Sequence, residues 1–542
     1  MRRREFMTGA LTLSLLAAAG GPALAAKEKT EAFRRDSVRQ MARARMAKPY
    51  QPPKAPMPDG FSHMGYDAYR GIRFRPERAL WRGENLGFEI QLFHRGFLFE
   101  DPVEIFIVDN GVATPVAYDP ALFTFDAGLP QPPTDAKFGF AGFRIHAPLN
   151  RPDYYDEAAV FLGASYFRAV ARGHVYGLSG RGLAIGTAAP MGEEFPAFRS
   201  FWIEKPQPGA TDIVVYGLLD GPSTTGAFRF TIRPGAETQV DVESTLFPRV
   251  ELATVGIAPL TSMFFFGAAD QRTVDDYRPA VHDSNGLAIR TGRGEAIWRP
   301  LTNPAAVQVS AFLDENPLGF GLMQRERGYR DFLDLEAAYE RRPSAWVEPV
   351  GSWGRGAVHL VEIPTRSEYE DNIVAFWRPE KPLPAKEPHD ATYRMTWLSR
   401  LPVTDVATVR STRTGGIFGT TDRLFVIEFE GAPLEKALAA GPLSAVVTSS
   451  SGAVRDIVVH ANQEAGGQRM SFRLAPEGSD VVELRARLTD AAGNAVSESW
   501  TYRWLAPPKP APAPVSPEAP ESVPAPAAAA PAAIPAGKPT GG

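Results

Sequence analysis

The chain has 542 residues, a formal net charge of −4 at pH 7, 44% hydrophobic residues and no cysteine. That charge gives no electrostatic basis for a nucleic-acid partner. With no thiol there are no disulfides, no thiolate chemistry and no zinc–thiolate site, so stability has to come from core burial.

At the start, Arg2, Arg3 and Arg4 precede Glu5-Phe6-Met7 and the apolar run 11–19. Ala23-Leu24-Ala25 then supplies the small-x-small pattern a signal peptidase cuts. Paired arginines followed by x-Phe-Met resemble a twin-arginine signal, whose pathway carries folded proteins across the inner membrane. Residues 1–25 therefore read as an export signal. No later stretch approaches ~18 uninterrupted apolar residues, so the mature chain is expected in the periplasm without a membrane span. Residues 26–58 read as a lead-in: Phe33, Val38 and Met41 line one helical stripe, and 50–58 is proline-rich and extended.

Residues 59–380 carry β signals. Phe88, Ile90 and Leu92 alternate with Glu89 and Gln91, the pattern of a half-buried strand. Asn110-Gly111 after 103–108 is a type I′ hairpin signal, and Asp220-Gly221 follows 213–218 in the same manner. Phe228, Phe230 and Ile232 alternate again. A short helix is expected over 330–339. The polar, proline-rich segment 381–392 reads as a linker. Short strands at 424–428, 445–448, 454–460, 470–474, 481–488 and 500–504 then follow at immunoglobulin-like spacing, giving a second domain over 393–505. The tail, 506–542, is Pro/Ala-rich and cannot bury enough apolar surface to order itself. The expected class is all-β: a large N-terminal antiparallel β-sandwich, then a small immunoglobulin-like one.

The stretch 361–379, VEIPTRSEYEDNIVAFWRP, gathers the chemistry. It sets Glu362, Glu368, Glu370 and Asp371 beside Phe376 and Trp377. Rings stack on the apolar faces of a sugar, while carboxyls bond its hydroxyls or move protons. The competing reading is an ordinary strand-loop-strand crossing the core.

Several long motifs carry a resemblance. They include Phe61-Ser-His-Met-Gly-Tyr66, Phe161-Leu-Gly-Ala-Ser-Tyr-Phe-Arg168 and Glu194-Phe-Pro-Ala-Phe-Arg-Ser-Phe-Trp202. Asn316-Pro-Leu-Gly-Phe-Gly-Leu-Met-Gln-Arg325 and Arg342-Pro-Ser-Ala-Trp-Val-Glu-Pro349 continue the series. In this order they resemble the periplasmic glucan biosynthesis family (MdoG/OpgG/OpgD-type) over roughly 33–504. The resemblance implies a mutarotase-like large sandwich and a role in making osmoregulated periplasmic glucans, which are β-1,2-linked glucose polymers. It also implies an inverting endo-β-1,2-glucanase-like activity, with a transglycosylase or a non-catalytic scaffold for the membrane glucan synthase as alternatives.

Inverting glycoside hydrolysis needs one carboxyl to protonate the leaving oxygen and another to activate water. The resemblance implies Asp371 as the acid and Asp283 as the base, the base acting through a chain of waters. For Asp283, Asx-turn chemistry ahead of Asn285-Gly286 is the rival explanation. Tyr339 and Glu368 are further implied site residues: Tyr339 to stack on or bond a glucose unit, Glu368 to orient a hydroxyl or water or to raise the pKa of Asp371. Trp346, Trp353 and Trp377 are candidate sugar platforms. His63, His174 and His282 show no metal-ligand spacing, so neither metal nor cofactor is expected.

Overall fold

The computed structural model describes residues 30–53, 56–270, 274–401 and 405–507. The export signal at 1–25 and all but the first two residues of the tail lie outside the described residues. The fold is all-β, with two large sheets of 15 and 10 strands and a smaller four-stranded sheet.

The large sheets bury their aromatic faces against each other. Phe161, on the Tyr154–Leu162 strand of the 10-stranded sheet, lies 5.3 Å from Phe201 and 5.1 Å from Phe230 of the 15-stranded one, ring centre to ring centre. Phe167 meets Trp397 at 5.9 Å in the same layer. Each such ring contributes about 1.5–3 kcal/mol by leaving water, so this layer is the main source of stability in a chain with no cross-links.

Several elements follow the sequence pattern. Asn110 and Gly111 both take positive φ, 49° and 75°, between the strands Glu104–Asp109 and Val112–Pro115, as a type I′ turn requires. The lead-in forms the helix Ser37–Met46, whose Val38 and Ala42 pack with Trp202, Tyr216 and Leu218.

Others depart from it. The strand Glu89–Phe93 is buried on both faces, because Glu89 pairs with Arg82 and Gln91 with Arg144, both at distances near 2.9 Å. Asp220-Gly221 is no two-residue turn: the buried Asp220 carboxylate is taken by Arg45 and Arg249, and the next strand begins only at Thr224. The expected helix over 330–339 breaks into the single turn Tyr329–Phe332 and the 3-10 turn Tyr339–Arg341. Between them the Asp334 Oδ1 accepts the N–H groups of Glu336 and Ala337, at 2.9 and 2.8 Å, and this local bonding displaces the helix.

The second sandwich sets the sheet Thr408–Gly416, Arg423–Glu430, Gln468–Ala475 and Ala453–Ala461 against Ser499–Leu505, Val481–Thr489 and Ser444–Ser449. Phe425, Phe472 and Trp500 form its core. Residues 393–398, expected in this domain, instead continue the strand His389–Leu398 of the large sheet, between Thr238–Pro248 and Ser344–Val350. Their alternating Tyr393, Met395 and Trp397 belong to the main core, and the last four residues of the expected linker 381–392 are already paired in that strand, so the segment leads into the core and does not mark a domain boundary. The sandwiches share one sheet: Ser499 and Trp500 pair in parallel with Ile297 and Trp298.

Candidate active site

Both candidate carboxylates hang from one piece of backbone. Phe264 donates its N–H to Asn372 Oδ1 at 2.8 Å, and Asn372 Nδ2 returns a bond to Phe264 O at 3.0 Å. The same amide donates to Ile363 O at 3.0 Å, which closes the loop carrying Glu368 and Asp371. One residue away, Asp283 donates its N–H to Met263 O at 2.8 Å. Met263 and Phe264 thus hold Asp283 and the neighbour of Asp371 in a common frame. The two aspartates face a cleft of about 790 Å³ that Tyr339, Arg342, Glu368 and Arg168 also line.

Asp371 keeps 32% of its side chain open to solvent at the cleft surface, with Arg168 3.8 Å away. Crowding by the surrounding protein raises its pKa above the ordinary 3.8; Arg168 opposes the rise, the Asp283 anion adds to it, and Arg342 and Arg181 oppose it further. The balance is upward, toward a carboxyl that holds its proton.

Asp283 is only 5% exposed, and its Oδ1 accepts from Arg342 Nη1. Its carboxylate is therefore committed to a guanidinium and not to an Asx turn. Arg342 is itself held in place. Its Cζ sits 4.2 Å from the centre of the Tyr339 ring, and its Nε donates to Ala337 O at 3.3 Å. One aspartate thus sits where a proton is favoured and the other beside a permanent cation, the asymmetry that acid–base catalysis by paired carboxyls requires.

Tyr339 donates its hydroxyl to Glu368 Oε2 at 2.6 Å, and Arg278 Nη1 donates to the same oxygen at 2.8 Å. Arg278 also binds Asp334 and Asp276, each at 2.8 Å. One guanidinium therefore gathers three carboxylates, and Glu368 is an oriented acceptor. The anion that raises Asp371 is Asp283. Of the other acids in the stretch, Glu370 accepts from Thr365 Oγ1 at 2.8 Å, and Glu362 is buried beneath Thr302 and Arg299.

The three tryptophans do not line the cleft. Trp377 is 1% exposed and lies on Gly356, where an added Cβ would come within 2.5 Å of its ring. Trp346 covers Gly319 and Gly321 in the same way. Trp353 packs between Trp377 and Tyr393 and bonds Thr392 O at 3.3 Å. Strand glycines leave a flat slot beside the backbone, and the indoles fill it. Besides the buried Tyr339 and the half-buried Tyr176, the cleft carries three exposed rings, Tyr277, Tyr329 and Tyr369, which are 75%, 44% and 90% exposed. Their sequence signal is the charge around them: Asp-Asp-Tyr277-Arg and Glu-Tyr369-Glu-Asp leave no apolar neighbours with which to enter a core.

The family model "Periplasmic glucan biosynthesis protein, MdoG" matches residues 33–504. The chain is 52% identical to "Glucans biosynthesis protein G" of Bradyrhizobium diazoefficiens over 505 residues, 93% of this chain and 100% of the relative. It is 51% identical to the protein of the same name from Rhodopseudomonas palustris strain BisA53, over 93% of this chain and 100% of the relative. With the protein of that name from Shewanella sp. strain MR-7 it shares 50% identity over 88% and 87% of the two chains. The chain belongs to the periplasmic glucan biosynthesis protein family, MdoG.

Proposed function

We propose that this protein works in periplasmic glucan biosynthesis by binding β-1,2-linked glucan and processing its backbone as an inverting endo-glucanase. The observation that carries the reading is the pair of differently poised carboxyls: Asp371, pushed toward its protonated form, and Asp283, paired with Arg342. Asp371 gives its proton to the leaving glycosidic oxygen as the bond from the anomeric carbon breaks. Water attacks that carbon from the opposite face, and its proton passes to Asp283. Asp283 is nearly closed off, so a relay of waters carries this proton. Loss of the proton from Asp283 and uptake of one by Asp371 restore the enzyme. Tyr339 and Glu368 orient a glucose hydroxyl, and the exposed tyrosines at the rim supply stacking faces.

The membrane glucan synthase is the source of the substrate in this account. Export relies on a twin-arginine signal: replacing Arg3 and Arg4 together by Lys should stop periplasmic accumulation, because that route reads the pair and not only its charge. Among the described residues no helix is long and apolar enough to cross a membrane.

The test is to incubate the mature protein with linear β-1,2-glucan and count both chain length and reducing ends. Hydrolysis shortens chains and raises the count. Transfer redistributes lengths at constant count. Binding without either change would replace the enzyme with a scaffold.

A further inference from the structure

The surface beside the cleft carries a second aromatic hollow. The strand Tyr166–Ala169 places Tyr166 and Arg168 two residues apart, so both point from the same face at about 7 Å spacing. Arg168 lines the Asp371 cleft; Tyr166 lines a neighbouring hollow of about 490 Å³ with Leu98 and Phe195. Phe167, between them in sequence, points the other way into the Phe161 core. The paired strand Ser179–Arg181 repeats the arrangement. Ser179 Oγ accepts from Arg168 Nε at 2.7 Å, and Arg181 pairs opposite Tyr166. One strand therefore borders both hollows, Arg168 at the cleft and Tyr166 at the second hollow, whose other walls come from the loop 97–101, the turn 162–164 and Phe195.

The second hollow is built to hold flat groups. The Arg181 guanidinium, 1% exposed, lies 5.1 Å from the Tyr166 ring and 5.0 Å from the Phe195 ring, and it is tied to Glu193 at 2.7 Å. It fixes both ring positions by cation–π attraction. Phe195 is nevertheless 51% exposed and Leu98 77% exposed. At the edge, the Arg199–Asp101 pair, 2.6 Å apart, offers donors and acceptors to hydroxyls. Exposed apolar faces with a polar rim, two positions along one strand from an acid–base cleft, match an uncharged polyhydroxylated ligand.

We propose that the Leu98–Tyr166–Phe195 shelf is a distal carbohydrate subsite that holds glucose units of the same polymer whose backbone is processed at Asp371. This rests on the glucan-processing reading: a chain cut internally extends beyond the reacting bond, and the shelf takes up that extension. The shelf makes long chains better ligands than short ones.

The test measures KM, or Kd in an Asp371→Asn background, for long linear β-1,2-glucan and for a short β-1,2-gluco-oligosaccharide. Wild type is compared with Phe195→Ala, Leu98→Ser and Phe195→Tyr; both native side chains are exposed, and melting curves check the fold. The preference for long over short glucan should shrink about fivefold in Phe195→Ala and less in Leu98→Ser, with Phe195→Tyr restoring most of it. An unchanged preference in Phe195→Ala, or equal weakening toward both lengths, would overturn the shelf while leaving the Asp371 chemistry standing. A wild type that binds no glucan of either length would sink the glucan reading itself, and the shelf with it.

Discussion

The pKa of Asp371 is raised by what surrounds it: a crowded loop end and the anion of Asp283, which together outweigh three guanidinium groups. The same raised pKa has a consequence for stability. The folded form keeps the proton to higher pH than the unfolded chain, whose carboxyl titrates near 3.8. The contribution is therefore full below that value and is lost as pH rises toward the folded pKa. Asp371→Asn keeps the shape and removes the charge. The variant should melt no lower than wild type at pH 3.5 and progressively higher than wild type as the buffer approaches neutrality. Differential scanning calorimetry across that range checks it; a variant less stable at pH 7 than at pH 3.5, relative to wild type, would contradict the assignment.

The cleft wall between Phe332 and Tyr339 owes its shape to one side chain. Asp334 accepts from Glu336 and Ala337, and its other oxygen takes Arg278. Although burial raises its pKa, these bonds leave it lowered overall, so the wall is charged and closed at neutral pH. Asp334→Ala should free residues 333–338, shift Tyr339 and Arg342 with them, and raise the hydrogen exchange of that segment while the sheets stay protected. The three lost bonds all end on the carboxylate and are charge-assisted, each contributing about 1.5–3 kcal/mol. This wall was hidden in the sequence, where 330–339 has a helical pattern; an aspartate two and three residues before free N–H groups overrides a weak propensity. The sheets were legible, because Phe228–Phe230–Ile232 and the Asn110-Gly111 turn are local signals. Asp371, Asp283, Tyr339 and Glu368 do gather at one cleft, though it took motif resemblance, not spacing, to link residues 88 positions apart. The tryptophans misled because a ring covering a glycine on the next strand has no signature along its own strand.

On the scale of the whole molecule, the two sandwiches are joined by more than the shared sheet. Arg325, reached directly from the strand Gly319–Met323, makes two bonds of 2.7 and 2.8 Å to Glu498 and lies 3.6 Å from the Trp298 ring centre. Tyr502 of the second sandwich donates to Ala269 O at 3.0 Å, at the root of the loop that carries Tyr277 and Arg278. The small sandwich therefore braces the cleft and should not melt apart from the body. Arg325→Met strands Glu498, which is 3% exposed, and should cost about 3–5 kcal/mol. Urea unfolding should show that loss in a single transition; two separated transitions in wild type would mean the sandwiches are independent.

The central claim is that Asp371 delivers the proton that releases a glucosyl leaving group. The most direct measurement compares reducing-end release from linear β-1,2-glucan by wild type and Asp371→Asn, with the Kd of each for the same glucan measured in parallel. The account predicts wild-type release, a fall in kcat on the order of a hundredfold or more in the variant, and little change in Kd. Equal release by the two proteins would contradict it.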